Sequence, residues 1–596
     1  MAKYSVHQQP VDTLLTWIKS GEIAIPEIQR PFVWKASKVR DLIDSLYKGY
    51  PVGYIITWRN PDVKLKNGEL SAGKKVLIDG QQRITALTAA IIGQRVLNQY
   101  YKEVTIRIAF NPITEAFDVL NKAQEKNPLW INNINPIVNS EITISQARRQ
   151  YMELNPDVDE QLVEERIEKL KEIKTKQVGI IELDHTLDID TVTEIFIRIN
   201  QKGVKLSNAD FVMSKIASDE AHGGNKMRKL VDYFCRLIVD KDFNKHIVDN
   251  DPSFASHDYY KALKWMATGT DNLYVPDYVD VLRVAFTYQF SRGKFSDLVA
   301  LLSGRNFEER TYEIGIAEES YQKLADGLLQ FVNQTNYQRF QMIIQSAGFI
   351  HPKLISSKNS LNFAYALYLK LRQDGMPEAE IQHYVKRWLV LTLLLGRYSG
   401  SSETFIDADI KQVNAKGIAA YLEQMEQAHL GDGFWDYTLV NDLESSSVNN
   451  NAYNVYLASQ CYFNAPAFLS KDMKISSLVE QRGDIHHLFP KQYLMENKYL
   501  IKSYNQVANY AYTEQATNIK IGKMPPEKYM SKVMQQIDDG ILDICSLTSR
   551  DDLMENLRLN DVPEELITAE HVQFGSFLEK RRALMAQKIK SYYEQL

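Results

Sequence analysis

The spacing of apolar residues changes twice along the chain, so a single repeating architecture cannot account for it. Up to about residue 220, short strand-like runs alternate with helical patterns. From there to about residue 430 the spacing is helical almost throughout, and the last part is mixed again. Because 596 residues also exceed what one hydrophobic core normally supports, we expect a multi-domain α+β protein. The expected divisions are residues 1–220, a mostly helical middle at 221–430, and residues 431–596.

Periodicity predicts several individual elements. In KVRDLIDSLYKG the apolar residues Val39, Leu42, Ile43 and Leu46 have helical spacing, and Gly49 is the expected stop. The runs VGYIITW and KKVLIDG predict strands, RITALTAAIIGQRVL a buried helix, and VTIRIAFNP a strand that ends at Pro112. Polar residues 444–451, ESSSVNNN, predict a surface loop near a domain boundary.

Composition excludes several classes of protein. The three cysteines, Cys235, Cys461 and Cys545, lie too far apart for a disulfide framework or a cysteine-bound zinc finger. The N-terminus has no secretory signal and no apolar run is long enough to span a bilayer, so we expect a cytoplasmic protein without a membrane partner. Its net charge of −5 provides no overall basic field, so nucleic acid would have to bind in a local basic cleft.

The segment GDIHHLFPKQYL, residues 483–494, places two histidines side by side in a strand-like run. Alternation along a strand sends His486 and His487 to opposite faces, so at most one of them belongs to a core. Asn509 and Asn518 follow, and Asn518 lies in a predicted short helix after a hairpin. Phosphodiester hydrolysis needs a base such as histidine and a hard divalent cation, Mg²⁺ or Mn²⁺, with oxygen and imidazole ligands. This order of residues is that of a ββα-metal nuclease site; the alternative is a histidine pair without function in a buried hairpin.

A second segment, VLIDGQQRITAL, predicts a strand, a turn at Asp79 and Gly80, and a helix that begins near Gln81. The N-terminus of a helix after a glycine turn attracts anions because free backbone N–H groups point at the ligand. Arg83 in the first turn could contact the same phosphate through two hydrogen bonds. The alternative is that Asp79 caps the helix and Arg83 is an ordinary surface arginine.

The run DIHHLFP resembles the core of the HNH, or His-Me finger, nucleases. The resemblance implies that His486 is a metal ligand, His487 the general base and Asn518 the second metal ligand. Asn509 corresponds to the family's central asparagine, which orients the base, and Asp484 is a weaker candidate for supporting the metal site.

Around DGQQR, the segments IPEIQRPFVWK, GYPVGYI and FIRINQKGVKLSNAD resemble the N-terminal domain of GmrSD-type restriction endonucleases. That domain is ParB/sulfiredoxin-like, and its Gly-x-x-Arg box contacts nucleotide phosphates. The resemblance implies binding and hydrolysis of an NTP (GTP, ATP or CTP), with Asp79 in a catalytic role. The nucleotide-binding candidates are Arg30, Gly80, Gln81, Gln82 and Arg83, followed by Arg198 and Asn200. The segment GRYSGSSET is also similar to the family, and for Arg397 a functional role and a structural one are left open.

Together the resemblances imply a GmrS-like domain fused through helices to a GmrD-like HNH nuclease domain. The expected reaction is metal-dependent hydrolysis of DNA under nucleotide control. The family's role implies modified phage DNA as the partner, with a modified base or a phosphorothioate backbone. Whether the chain forms a homo-oligomer is left open. The alternatives are a nucleotide-switched DNA-binding protein with an inactive nuclease domain, and a toxin-like nuclease that needs no nucleotide.

Overall fold

The computed structural model describes residues 3–24, 34–58, 75–97, 103–184, 187, 195, 208–219, 222–269, 273–311, 313–481 and 485–596. The chain divides into two compact units, Met1–Phe254 and Ala255–Leu596. Within the described ranges, no helix has the length and apolar character that crossing a membrane requires.

A mixed sheet forms the centre of the first unit. The strands of this unit are β1 Tyr4–Pro10, β2 Ile23–Ala24, β3 Tyr54–Trp58, β4 Lys75–Asp79, β5 Val96–Leu97, β6 Glu103–Val104, β7 Ile108–Asn111, β8 Ala116–Val119 and β9 Gln177–Leu183. Five of them form one sheet in the order β1-β9-β3-β4-β2. Strand β3 pairs in parallel with β9 and antiparallel with β4, so it is the middle strand of the sheet.

Helices pack against this sheet because alternate strand residues point to its two faces. The helices are α1 Val11–Lys19, α2 Ala36–Tyr47, α3 Gln81–Leu87, α4 Lys122–Glu125, α5 Asn135–Val138, α6 Ile144–Leu154, α7 Glu160–Lys171, α8 Asn208–Ser218, α9 Gly224–Leu237, α10 Phe243–Asn250 and α11 Pro252–Ala255. Ile55, Leu77 and Ile180 join the main core with α1, α2 and α3. Their neighbours Ile56 and Leu183 belong to a smaller cluster with Trp58.

Most predicted elements of the first unit are confirmed. The predicted helix with Val39 and Leu46 is α2, and Gly49 after it has a φ of +74°. The runs VGYIITW and KKVLIDG contain β3 and β4. The run RITALTAAIIGQRVL is helical only as far as Ile92, through α3 and a π-helical turn, Thr88–Ile92, and its last two residues form β5 instead of helix. The run VTIRIAFNP does not form the single strand that was predicted. Its first residue belongs to β6, which pairs with β5, and β7 begins four residues later and pairs with β8.

The second unit is mainly helical. Its helices are α12 Asp258–Leu263, α13 Tyr278–Phe290, α14 Phe295–Leu302, α15 Ile314–Val332, α16 Gln334–Ser346, α17 Lys358–Gln373, α18 Glu378–Leu394, α19 Ser402–Lys416, α20 Ile418–His429, α21 Leu439–Asp442, α22 Asn451–Tyr462, α23 Ile475–Gln481, α24 Lys491–Glu496, α25 Ile501–Tyr504, α26 Gln515–Ile521, α27 Pro526–Asp539, α28 Arg550–Leu559 and α29 Phe574–Gln595. A two-stranded sheet, β10 Ile485–His487 and β11 Tyr510–Tyr512, lies among the last of these helices.

The boundaries expected at residues 220 and 430 do not coincide with the two units. The C-terminal helix α29 shares a core with helices of the expected middle region: Tyr592 donates a hydrogen bond to the Ala347 carbonyl, and Tyr593 donates one to Glu426. The polar residues 444–450 form a loop within the second unit, and Asn450 caps α22 through a hydrogen bond from the Tyr453 N–H. The polar composition of this loop reflects exposure and helix capping.

Candidate functional site

The two histidines lie on a ββα arrangement in the second unit. Strands β10 and β11 pair antiparallel, with His486 opposite Ala511 and His487 opposite Tyr510. Residues 488–509, hereafter the connecting segment, join the two strands and contain α24 and α25. Helix α26 follows β11 and carries Asn518. The predicted order of two strands and a helix is therefore present, with a long connection in place of a tight hairpin.

His486 points inward and meets Asn518. Its side chain is 3% exposed, its Nδ1 lies 2.8 Å from the Asn518 Oδ1, and its ring stacks on Phe468. The buried Nε2 has no hydrogen-bond partner among the described residues. Burial lowers the pKa of His486 to about 4. The imidazole is therefore neutral at physiological pH, which is the state that binds metals.

The His486 and Asn518 pair fits a hard divalent cation. Two adjacent ligands of an octahedral ion at about 2.1 Å lie about 3.0 Å apart, close to the observed separation of nitrogen and oxygen. Without metal this contact is a hydrogen bond from His486 Nδ1–H to the amide oxygen, so ligation by both atoms would require the proton to leave Nδ1. The described residues contain no cluster of three or more His, Cys, Asp or Glu side chains that could hold a metal, and Asp484 lies outside them. Such a pair leaves coordination positions for water and phosphate oxygens, as Mg²⁺ sites commonly do.

His487 is placed differently from its neighbour, as strand alternation predicts. Its ring is half-buried, stands edge-on to Tyr510 and contacts the Asn505 Oδ1 through Nε2 at 3.1 Å. Burial lowers the pKa of His487, the hydrogen bond with Asn505 opposes this effect, and the charge of Lys491 adds to it. A neutral imidazole at physiological pH can accept a proton, as a general base must.

Asn509, expected to orient the base, makes no hydrogen bond to the His487 ring among the described residues and binds backbone groups instead. Its fully buried amide accepts a hydrogen bond from the Phe489 N–H and donates to the carbonyls of Phe489 and Tyr504. These bonds tie together the two ends of the connecting segment. The side chain that does contact His487, Asn505, was not predicted, because nothing in its sequence context distinguishes it from a loop residue.

A buried arginine also forms hydrogen bonds with the backbone on both sides of Asn509. Arg581 of α29 is 1% exposed, and its Nη1 donates to the carbonyls of Ala508 and Tyr510, each at 2.8 Å. These carbonyls flank Asn509 on either side. A charge-assisted contact therefore holds the backbone on both sides of Asn509, where β11 begins.

Both histidines open onto one cleft of about 520 Å³. The residues that line it are Ile485, His486, His487, Pro490, Lys491, Gln492, Met495, Asn518, Gly522 and Lys523. Lys491 begins α24, which follows β10, and Lys523 lies just after α26, which follows β11. Each of these two regions therefore brings one positive charge to the cleft. The negative net charge of the chain gave no indication of these two lysines. They provide the local positive charge that DNA binding in this cleft would require.

In the first unit, the predicted turn joins β4 to α3. Asp79 ends the strand and Gly80 is the N-cap, with no side-chain hydrogen bond to the helix, so capping by Asp79 is wrong. Gly80 has a φ of +96°, and a Cβ there would lie 3.1 Å from the Ile55 side chain and 3.3 Å from its Cα. Only glycine fits this close approach of the turn to β3.

Arg83 folds back onto β3. It donates to the Tyr54 carbonyl, and its guanidinium lies 3.2 Å from where a Cβ on Gly53 would stand. Burial lowers the pKa of Arg83, and the Asp79 carboxylate opposes this shift. Gln82 is buried, whereas Gln81 is partly exposed. Gly80, Asp79 and Arg83 thus come together as predicted, while Arg30, Arg198 and Asn200 lie outside the described residues.

Arg397 has a structural role. It binds Asp409 through Nε at 2.7 Å and Nη2 at 2.5 Å, and Asp409 is fully buried. The hydroxyl groups of Tyr398 and Tyr421 also donate to Asp409, each at 2.7 Å. All of these groups satisfy one another, which settles the choice left open by the sequence.

Comparisons with known proteins support the N-terminal resemblance. Residues 11–217 match the family model described as GmrSD restriction endonuclease, N-terminal domain. The chain is also similar to the uncharacterized protein MJ0686 of Methanocaldococcus jannaschii, with 23% identity over 96% of each chain. The N-terminal part of the chain, residues 11–217, is therefore similar to the N-terminal domain of GmrSD restriction endonucleases.

Proposed function

We propose that the protein is a nucleotide-regulated, metal-dependent DNA endonuclease, with an HNH-type site on β10, β11 and α26. The observation that supports this most is the contact of His486 Nδ1 with Asn518 Oδ1, beside a half-buried neutral His487 in the same cleft. A metal-binding pair, a base and two lysines in one cleft are the groups that phosphodiester hydrolysis uses.

Each group has a separate task in this mechanism. A bound Mg²⁺ or Mn²⁺ would supply a Lewis acid for the scissile phosphate and the leaving oxygen. His486 and Asn518 hold the metal, and His487 accepts the proton of the attacking water. Lys491 and Lys523 bind phosphates of the DNA backbone and keep the strand in the cleft. Asn509 and Arg581 hold the backbone that carries these groups.

The turn at Gly80 is the proposed nucleotide site, with Asp79 in NTP hydrolysis and Arg83 on the phosphates. Its support is the left-handed glycine at a helix start, with Arg83 and Asp79 beside it. Arg83 uses one N–H on the Tyr54 carbonyl, and its other N–H groups have no hydrogen-bond partner among the described residues. GTP, ATP and CTP remain the candidate nucleotides.

The proposed target is modified phage DNA, either with a modified base or with a phosphorothioate backbone. The family name restriction endonuclease supports DNA as the substrate, and the modification is an inference from that family.

A cleavage matrix tests this function. Unmodified plasmid, base-modified phage DNA and phosphorothioate DNA are each incubated with the full chain, Mg²⁺ or Mn²⁺, and each NTP in turn. We expect metal-dependent cleavage of one modified DNA and a change in rate with one NTP. Cleavage that is equal for all DNAs and unaffected by any NTP would favour the toxin-like alternative. Binding without cleavage in every combination would favour the DNA-binding alternative.

A further inference from the structure

Asn505 is the side chain that contacts the proposed base. Its Oδ1 lies 3.1 Å from His487 Nε2. An amide oxygen only accepts hydrogen bonds, so Nε2 carries the proton, and a neutral imidazole then has its lone pair on Nδ1. We infer that Asn505 is a positioning residue that fixes His487 in the Nε2-protonated tautomer and so makes Nδ1 the proton acceptor. This inference rests on the proposed nuclease function.

The second nitrogen of the ring is available for that task. Among the described residues, His487 Nδ1 has no hydrogen-bond partner, and His487 lines the cleft together with Asn518 and the two lysines. A general base has to present a lone pair within hydrogen-bond reach of water. Without a partner on Nε2, the ring would exchange between tautomers and rotate about its χ2 bond, and only part of the population would present a lone pair in the required direction.

The connecting segment holds Asn505 in position. The Asn505 N–H donates to the Ile501 carbonyl at 3.1 Å, which closes the last turn of α25. The preceding residue, Tyr504, is 1% exposed, and its carbonyl accepts a hydrogen bond from Asn509 Nδ2 at 3.0 Å. Asn509 therefore acts on the base indirectly. It holds the backbone of Tyr504, and the next residue, Asn505, contacts the His487 ring.

A neutral acceptor suits this position. A carboxylate in the same place would also fix the tautomer, but its negative charge would face the phosphates that Lys491 and Lys523 attract. An amide orients the ring without opposing DNA binding. Asn505→Asp should therefore retain the turnover rate better than Asn505→Ala and should have a higher KM for DNA.

A double-mutant cycle separates positioning from a merely structural role. The full chain carries Asn505→Ala, His487→Ala or both, and kcat and KM are measured on the DNA that the wild type cuts. Asn505→Ala alone should lower kcat about 10–100-fold, the usual effect of removing a group that orients a functional histidine. In the His487→Ala background it should change kcat by less than about twofold, since it acts only through the missing ring. Equal losses in both backgrounds would overturn the inference.

Asn497→Ala is the matched control, because Asn497 lies in the same connecting segment and, among the described residues, its side-chain amide binds only the Tyr493 carbonyl, at 2.9 Å. This variant should cut like the wild type. If it loses as much activity as Asn505→Ala, the effect comes from disturbing the segment and the inference is overturned.

The tautomer of His487 can also be measured directly, without a cleavage assay. Long-range ¹H–¹⁵N NMR of the ¹⁵N-histidine-labelled chain, with His487 assigned by its loss in His487→Gln, should show a protonated Nε2. Asn505→Ala should convert this signal to a mixture of tautomers. A protonated Nδ1 in the wild type would overturn the inference. The expected tautomer in a protein that cleaves no DNA would instead refute the proposed function and leave the contact standing, so the two failures are distinguishable.

Discussion

His486 and His487 are adjacent on β10, and strand alternation places their side chains in different environments. His486 is buried against Phe468, which lowers its pKa to about 4, whereas His487 is half-buried beside Asn505 and its pKa is lowered by burial. One ring is suited to hold a metal next to an amide oxygen, and the other to exchange a proton with solvent. The identical side chains therefore support separate roles.

The lowered pKa of His487 sets the expected pH dependence of cleavage. A protonated imidazole cannot accept a proton, so activity falls as the pH drops through this pKa. Because burial lowers it, the midpoint of the acid limb should lie below the ordinary histidine value of 6.5. The measurement is kcat/KM against pH at saturating metal. An acid limb centred above the ordinary value would contradict the assignment of His487.

Removal of either proposed metal ligand should raise the metal concentration that cleavage requires. His486→Ala and Asn518→Ala each remove one of two converging atoms, while His487 stays in place. Excess Mn²⁺ should partly restore activity to one or both variants, and the stabilisation by metal in thermal unfolding should weaken. Unchanged stabilisation by metal, with activity that no metal concentration restores, would count against ligation.

At the scale of the element, the sequence predicts individual helices and strands better than it predicts contacts between residues far apart in the chain. The order of two strands and a helix was predicted from the strand-like histidine run and the asparagines that follow it, and α2, β3 and β4 were predicted from periodicity. The contact of Asn505 with His487 and the support from Arg581 could not be predicted, because each depends on how a long segment folds back. The partners of Asn509 could not be predicted for the same reason, because they are backbone groups at the two ends of a loop.

The glycine turn before α3 allows a matched stability test. Gly80 and Gly21 both have positive φ, but a Cβ on Gly80 would meet Ile55, whereas a Cβ on Gly21 would meet nothing within 4 Å. Gly21→Ala should cost about 1–2 kcal/mol, the cost of the left-handed conformation. Gly80→Ala should cost more in denaturant unfolding and should also weaken nucleotide binding, since Arg83 Nη1 lies 3.5 Å from the added Cβ. Equal costs with unchanged nucleotide affinity would show that the turn is not a close-packed nucleotide site.

At the scale of the whole molecule, the proposed nucleotide site and the proposed nuclease site lie in separate compact units of one chain. Control of cleavage by nucleotide requires that the two sites influence each other, and binding linkage makes that influence reciprocal. We therefore expect the affinity for target DNA to change about 5–150-fold between the nucleotide-free protein and the complex with NTP.

The coupling is measured as DNA affinity and cleavage rate with no nucleotide, with NDP and with a non-hydrolysable NTP. Arg83→Ala should remove the differences among these conditions while leaving the nuclease cleft unchanged. Identical values for the wild type in all three conditions would mean that the units are only tethered.

Cleavage by the wild type and by His487→Ala is the most direct comparison for the nuclease assignment. His429→Gln, an exposed histidine at the end of α20, serves as the control. With a susceptible DNA and saturating Mn²⁺, His487→Ala should be about 10²–10⁴-fold slower, the usual contribution of a general base, with DNA and metal affinity retained. The control should cut at the wild-type rate. Equal cleavage by the wild type and His487→Ala would contradict the site on β10.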